Sequence, residues 1–546
     1  MSMPMPDPDR LVLTHLLRDA VAAHGPRPAL RYEGRVWTYA EFGRLVANAT
    51  ALLQSLGAGP GTRIGLCLPN TPYSAIFYYA SLGLGGVVVN YNPLYSANEL
   101  RKQIADSHTT LMIIPDLAAI YAKLQPVLGQ TSLAKLVVCP MAGALPRLKA
   151  VALPFVSKGL LAHPAWSDAV IPYRPGRAYG TPVPAPVSPT TLAVLQYTGG
   201  TTGMPKAAML THANIAVNAL QIAAHMPSLR PGQEKLLGVL PFFHVFAMTA
   251  VLNCGVAIGA ELQLHSRFQI DKIMRAIPRD RPTVLHAVPT IYGAIADAAE
   301  KSRIDIGSIR VCISGGAPLP EEIRLRFERL TGARLVEGYG LTEAAPLVTC
   351  NPPDGEVRPR SVGLPAAWTL VEIRDTTPPY TLLPPGQRGE ICVRGPQVMA
   401  GYLDRPDDTA AIFIEGALRT GDIGYLDEDG YLFVTDRIKD VIICGGYNVY
   451  PRVIEEALYE HQAVAEAVVV GAPDAYRGET PVAFVTLRPD TPATVADLAA
   501  HLRAALSPIE QPSRIEIRPD LPKTAVGKLS RKELRQELLA RADQAA

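Results

Sequence analysis

The residues with the clearest chemical potential lie in a loop rich in glycine and threonine. Residues 195–212 read LQYTGGTTGMPKAAMLTH. An apolar strand, TLAVLQY, runs into Gly199, Gly200 and Gly203, interleaved with Thr198, Thr201 and Thr202, and Lys206 follows. Glycines let backbone N–H groups approach a phosphate closely, hydroxyls add donors, and a lysine adds a point charge. The order is not G-x-x-x-x-G-K-[ST], because Lys206 follows Pro205 in this loop. In isolation such a loop is equally a surface turn; the apolar strand before it favours a phosphate cradle.

A second motif, EGYGLTEAAP at 337–346, sets Tyr339 between two glycines, where its ring can stack on a flat base. After Gly340 come Thr342 and Glu343. A hydroxyl and a carboxylate beside a phosphate loop suit Mg2+; alone, Glu343 also fits a solvated surface acid. Upstream, CISGGAPLP places Gly315, Gly316 and Ala317 in a strand-to-helix turn, which serves a nucleobase or a tight connection. A third motif, RTGDIGYLDEDGYLFVTDRIKDVIICGGYNVYP, carries Asp422 in a Gly-Asp turn and Arg437 in Asp-Arg-Ile-Lys-Asp. A carboxylate accepts hydrogen bonds from ribose hydroxyls, but Asp422 and Arg437 could also form a structural ion pair. In LPKTAVGKLSRKELR, Lys528 stands on a bend before a basic helix. A lone lysine there is usually solvated surface.

These motifs need elements to hold them. TYAEFGRLVANATALLQSL has apolar residues at spacings of three and four, which predicts an amphipathic helix. RIGLCLPN, TTLMIIPD and KLVVCP read as buried strands. Strands alternating with helices predict a parallel or mixed sheet with covered faces. A second α/β stretch covers 191–350, and 360–435 is β-rich. After Arg437 the pattern restarts: strand VIICGG, helix PRVIEEALYEH, strands AVVVGAPD and ETPVAFVTLRPD, helices VADLAAHLRAAL and SRKELRQELLARA. The expected fold is α/β: a large N-terminal domain, 1–436, of α/β sheet subdomains plus a β-rich subdomain. A small mobile α+β domain, 437–546, would carry Lys528. Residues 141–190 differ, with five basic residues against one acid, Asp168, among apolar residues. That segment is either a connector packed on the domain or a surface that touches membrane lipid.

Composition narrows the class. Of 546 residues, 48% are hydrophobic and 19% charged, which is globular rather than disordered. A net charge of +2 argues against a dedicated nucleic-acid binder. Seven widely spaced cysteines without a C-x-x-C argue against a disulfide framework or zinc ribbon and for a reducing cytoplasm. The apolar stretch 68–98 contains Pro, Asn, Ser and Gly and reads as a buried helix–turn–strand, not a membrane span. The start, MSMPMPDPDR, lacks the order of a signal peptide.

YTGGTTGMPK, GYGLTE, the Gly-Asp turn with DRIKD, GGYNVYP and PKTAVGK, in this order, resemble the adenylate-forming superfamily of acyl-CoA synthetases, peptide-synthetase adenylation domains and luciferases. The resemblance spans about residues 28–540. YTGGTTG, VVVNYNPLYSANEL and PFFHVFAMT resemble its bacterial long-chain fatty-acid–CoA ligase branch. The resemblance implies two steps: a carboxylate attacks the α-phosphorus of ATP and expels pyrophosphate, then coenzyme A displaces AMP. It assigns residues 198–206 to the β- and γ-phosphates, Glu343 with Thr198 to Mg2+, and Thr342 to the α-phosphate. Tyr339 would stack on adenine, lined by Gly315, Gly316 and Ala317; Asp422 and Arg437 would hold the ribose. Lys528 would be the main catalytic residue. Lys439 matches a hinge, Gly445 and Gly446 would face the pantetheine, and His244 would border the acyl pocket, with a plain core histidine as its alternative. Met248 stands where some relatives carry an aromatic gate. The implied cofactors are ATP, Mg2+ and coenzyme A, with a fatty acid as the acid substrate. The alternatives are an aryl, cinnamate-type or dicarboxylic acid, a ligase loading a carrier protein, or a non-catalytic nucleotide sensor. No nucleic-acid partner is expected; a homodimer and peripheral contact with the inner face of the membrane are further expectations.

Overall fold

Mostly apolar runs become parallel strands buried on both faces. Leu111–Pro115, Val284–Ala287 and Val311–Gly315 are buried along their whole length, so no alternation is visible in their sequences. The computed structural model describes residues 5–156, 159–198, 205–445, 447–474, 476–489, 491–524 and 527–545. Among these the strands form four sheets.

The first sheet has seven strands in the order Val170–Pro172, Lys135–Cys139, Leu111–Pro115, Arg63–Leu66, Val87–Asn90, Leu192–Tyr197 and Ala207–Thr211. Its first six strands run parallel; the last is antiparallel. The second sheet has nine strands, with a parallel centre and antiparallel edges. Its strand Pro28–Tyr32 pairs in parallel with Glu261–Leu264, more than two hundred residues away. The fold is thus mixed α/β, as expected.

Helices fill the space between the two large sheets. In Tyr39–Ser55 the Thr38 hydroxyl accepts from the Glu41 N–H, and the Glu41 carboxylate accepts from the Thr38 N–H. This reciprocal cap satisfies donors that the helix start leaves free. The helix buries Tyr39, Phe42, Val46, Ala49 and Leu53, the stripe its spacing predicted. The 68–98 stretch is the buried helix Pro72–Gly83 followed by Val87–Asn90. Burying Phe42 and Phe77 contributes about 1.5–3 kcal/mol each. No helix of the described residues is long and apolar enough to cross a membrane.

The third sheet, Leu370–Arg374, Gly389–Arg394, Phe413–Ile414, Ala417–Leu426 and Leu432–Arg437, is antiparallel and matches the β-rich stretch. The fourth, from Ile442–Cys444 to Arg514–Ile517, packs against Pro451–Tyr459, Val495–Ala505 and Arg531–Ala545. All seven cysteines are buried and unpaired.

Much of 141–190 packs on the domain, as a connector would. Val170–Pro172 closes the edge of the first sheet, and Tyr173 is buried. The Arg177 and Val183 carbonyls accept from Asn48 and Gln54. The helix Arg147–Val156, by contrast, leaves Leu148, Val151 and Phe155 exposed.

Candidate active site

Parallel strands Val311–Gly315 and Arg334–Gly340 end side by side, and their carboxyl ends open into a cleft of ≈ 4090 Å³. Ligands of open α/β sheets bind outside such strand ends. Gly316 and Gly340 are forced by the geometry. Gly340 lies so close to the 346 carbonyl that a Cβ would meet it at 1.9 Å. Gly316 has φ +83° and faces Lys528.

The third sheet supplies a carboxylate to this cleft. Asp422 and Arg437 are directly opposite across the Ala417–Leu426 and Leu432–Arg437 pair. Arg437 Nε lies 3.2 Å from one Asp422 oxygen, and the Tyr339 hydroxyl donates to the other at 2.6 Å. The ion pair allowed by sequence therefore exists, with Tyr339 as a third member. The Asp422 carboxylate holds the Arg437 guanidinium above its usual value, while burial pushes the Tyr339 phenol well up. Tyr339 is half-buried, with its polar tip fixed and its ring lining the cleft.

Glu343 is not a solvated acid. The Met399 N–H donates to its carbonyl at 2.8 Å, and the Tyr402 hydroxyl donates to its carboxylate at 2.7 Å. Residues 400–403 hydrogen-bond along Ala207–Thr211 like an added strand. That pairing brings Tyr402 beside Lys206, whose ammonium lies 5.3 Å from the ring centre and 2.6 Å from Asp408. Sequence reasoning missed Tyr402 and Asp408. Glu343 and Thr198 both line the cleft. Mg2+ is commonly held by one or two carboxylates, substrate phosphates and waters. A carboxylate braced by a phenol, with a hydroxyl lining the same cleft, fits that role. Among the described residues no group of three or more His, Cys, Asp or Glu could form a metal cage.

Lys528 comes from the far side of the cleft. Its loop is pinned by the Gly527 carbonyl, which accepts from the Thr290 hydroxyl at 3.0 Å, and by the Lys528 carbonyl, which accepts from the Thr524 N–H at 2.7 Å. A Cβ on Gly316 would meet Lys528 Cε at 2.6 Å and Nζ at 3.0 Å. Burial and the Arg437 guanidinium push its ammonium down to about 8, and Asp422 pulls the other way. Lys439 sits in the turn Ile438–Asp440 and lines the same cleft.

A mostly apolar arm of the cleft is lined by Val239, Leu240, Phe243, Val245 and Ala250. His244 caps the short helix Val245–Ala247 by accepting from the Phe246 N–H at 3.2 Å and also lines the cleft. Burial, helped by Lys528, pushes its imidazole down to about 3, so it is neutral. Met248 is fully buried, and its sulfur accepts from Asn90 at 3.3 Å.

The cleft therefore gathers Thr198, Lys206, His244, Gly315, Gly316, Ala317, Tyr339, Gly340, Thr342, Glu343, Asp422, Arg437, Lys439 and Lys528. Gly445 stands apart, at the tip of the Ile442–Cys444 and Tyr447–Val449 hairpin. Gly199, Gly200, Thr201, Thr202, Gly203 and Gly446 lie outside the described residues. A second group that sequence did not reveal is the ion cluster of Arg531 with Asp436, Asp440 and Glu455.

A cleft at parallel strand ends, with a braced carboxylate and a lysine on a separate loop, fits an AMP-binding enzyme. The chain belongs to that family: residues 17–403 match the AMP-binding enzyme model and 453–528 match the AMP-binding enzyme C-terminal domain. It is 39% identical to a long-chain-fatty-acid–CoA ligase of Bacillus subtilis, over 98% of this chain and 95% of that one. A long-chain-fatty-acid–CoA ligase of Escherichia coli O6:H1 is 36% identical over 99% and 97%. Among solved structures, ATP-bound MatB from Rhodopseudomonas palustris superposes with a TM-score of 0.83 at 27% identity, covering 96% of this chain and 98% of that one. The apo form of the same protein gives 0.76.

Proposed function

We propose that this protein is an AMP-forming fatty acid–CoA ligase acting on medium- or long-chain acids. It activates the carboxylate with ATP to an acyl-adenylate and pyrophosphate, then transfers the acyl group to coenzyme A with release of AMP. The observation that carries this reading is the meeting of Lys528, the Tyr339–Asp422–Arg437 group and an uncharged, largely apolar arm in one cleft. Full-length similarity to two ligases named for long-chain fatty acids supports the substrate class.

In this reading Asp422 and Arg437 hold the ribose and Tyr339 stacks on adenine beside Gly315, Gly316 and Ala317. Thr198, Lys206 and the loop between them hold the β- and γ-phosphates, and Thr342 contacts the α-phosphate. Lys528 bridges the substrate carboxylate and α-phosphate, where charge spreads in the transition state. Glu343 with Thr198 would hold Mg2+, which shields the phosphate charge. His244, neutral, borders the acyl arm without repelling or binding the carboxylate as an ion. We take the large domain as 1–436 and the small one as 437–546. The better match to ATP-bound than to apo MatB, with Lys528 inside the cleft, supports an orientation suited to the first step. Withdrawal of Lys528 about Lys439 would then bring the 445–446 turn toward the thiol. We place the protein in the cytoplasm, in contact with the inner face of the membrane.

The test is product analysis with ATP, Mg2+ and a series of acids, with and without coenzyme A. Pyrophosphate release with medium or long fatty acids, and thioester only with coenzyme A, is expected. ADP as product, or turnover with aryl acids alone, would overturn the mechanism or the substrate class.

A further inference from the structure

The helix Ala97–Ser107 carries near its end a carboxylate that its own geometry disfavours. Asp106 stands in the last turn, where the partial negative charge of the helix end opposes an anion. Its side chain is 18% exposed, and both of its oxygens are taken. The Tyr197 hydroxyl donates to one at 2.6 Å, and the Arg405 guanidinium donates to the other at 2.8 Å. Burial and the Asp106 carboxylate push the Tyr197 phenol up, so it remains a donor.

Both partners lead to the ends of the 198–206 loop. Tyr197 is the last residue of the strand Leu192–Tyr197 that enters it. At its base the Thr198 N–H donates to the Lys206 carbonyl at 2.9 Å. Arg405 follows the stretch 400–403, which pairs along Ala207–Thr211, the strand that leaves the loop. Beyond Arg405, Asp408 holds the Lys206 ammonium at 2.6 Å. Before it, Tyr402 braces Glu343. One carboxylate thus joins the strand entering the loop to the segment that holds the lysine leaving it.

We propose that Asp106 is a positioning residue for ATP: through Tyr197 and Arg405 it fixes both ends of the loop that takes the β- and γ-phosphates. Tyr197, Arg405, Lys206 and Asp408 line the cleft, and Asp106 stands behind them. Groups set for a reacting phosphate lose much of their effect when displaced by about 1 Å. A carboxylate outside the cleft therefore acts on the nucleotide through the aim of Thr198 and Lys206. The inference rests on the phosphate role given above to residues 198–206, and not on the choice of acid.

AMP lacks those two phosphates, and the test uses that difference. ATP with Mg2+, and AMP alone, are titrated by calorimetry into the full chain with no acid present. In Asp106→Asn the affinity for ATP should fall about tenfold, as for a lost hydrogen bond to a charged group, while that for AMP stays level. Tyr197→Phe should show the same selective loss, and the double variant should lose less than the two together. Thermal melting checks folding; if Asp106→Asn does not fold, Tyr197→Phe carries the same test. His108→Asn is the control. His108 lies 3.9 Å from Asp404 and joins the same helix to the same segment without touching the loop. Asparagine tolerates its left-handed backbone, and both affinities should be unchanged. In turnover, the KM for ATP should rise in Asp106→Asn while thioester formation from added acyl-adenylate is spared. Equal losses for ATP and AMP, or no loss, would overturn the proposal. So would the same ATP-selective loss in His108→Asn, which would assign Asp106 to the helix seam alone. Unchanged ATP affinity in Lys206→Ala would overturn the phosphate role of the loop and this proposal with it. An ATP-selective loss in a protein that turns over no fatty acid would support the role of Asp106 and overturn the substrate reading.

Discussion

The phenol of Tyr339 and the carboxylate of Asp422 meet at 2.6 Å although 83 residues separate them. They come from different sheets, so the contact joins the strand-end wall of the cleft to the β-rich wall. Arg437 closes the group from the next strand. Tyr339→Phe keeps the ring and removes the bond. The KM for ATP should rise about tenfold with kcat nearly unchanged, the cost of a hydrogen bond to a charged group. An unchanged KM would remove this group from nucleotide binding.

In the role proposed for it, bridging two anionic centres, Lys528 must be cationic. Its ammonium is held down to about 8, so the cation is lost as pH rises through that value. The kcat/KM for adenylation reports the free enzyme and should decline above about pH 8. In Lys528→Arg, which stays charged, that limb should disappear even if the rate is lower. A decline at the same pH in both proteins would assign it to another group.

Gly316→Ala places a methyl group where the Lys528 side chain lies, on a backbone with φ +83°. An alanine there costs about 1–2 kcal/mol in strain. Adenylation should fall at least about tenfold, while thioester formation from added acyl-adenylate is largely spared. Equal losses in both steps would point to general damage.

Tyr402→Phe frees the Glu343 carboxylate from its brace at 2.7 Å. The Mg2+ concentration for half-maximal rate should rise about tenfold, by analogy with other outer-shell losses. No change in the Mg2+ response would separate Glu343 from the metal.

Glu337 is pushed up to about 7 by burial, against the pull of Arg452 at 4.0 Å. The folded value lies above the ordinary one, so the native state holds this proton more tightly. Stability from that proton is complete below about pH 4.5 and lost as pH rises through 7. Glu337→Gln should therefore raise the thermal midpoint at pH 8, with a gain of about 3 kcal/mol in stability. The gain should vanish near pH 4.5; a constant gain would indicate packing.

Local signals were legible and long-range ones were not. The stripe of the helix Tyr39–Ser55 follows from spacing, and the buried strands from unbroken apolar runs. The motifs named Tyr339, Glu343, Asp422, Arg437 and Lys528 because glycine and charge cluster there. What escaped was the set of partners. Tyr402 reaches Glu343 through an irregular stretch laid along Ala207–Thr211, and nothing near residue 402 marks that pairing. Arg531 joins Asp436, Asp440 and Glu455 only once the C-terminal helix is placed. Val170–Pro172 hid inside a Pro-rich segment because a three-residue edge strand leaves little pattern.

The burial of every cysteine has a chemical consequence. An acyl-adenylate reacts with thiolates, and the second substrate is itself a thiol. Burial pushes Cys67, Cys254 and Cys392 up to about 12, and raises Cys139, Cys312 and Cys350 as well. Each of these six is therefore a neutral, inert side chain at working pH. Cys444, near the expected path of the thiol, is shielded by its strand. The enzyme thus protects itself from self-acylation by storing its own sulfur in cores, leaving coenzyme A as the acceptor of the activated acid.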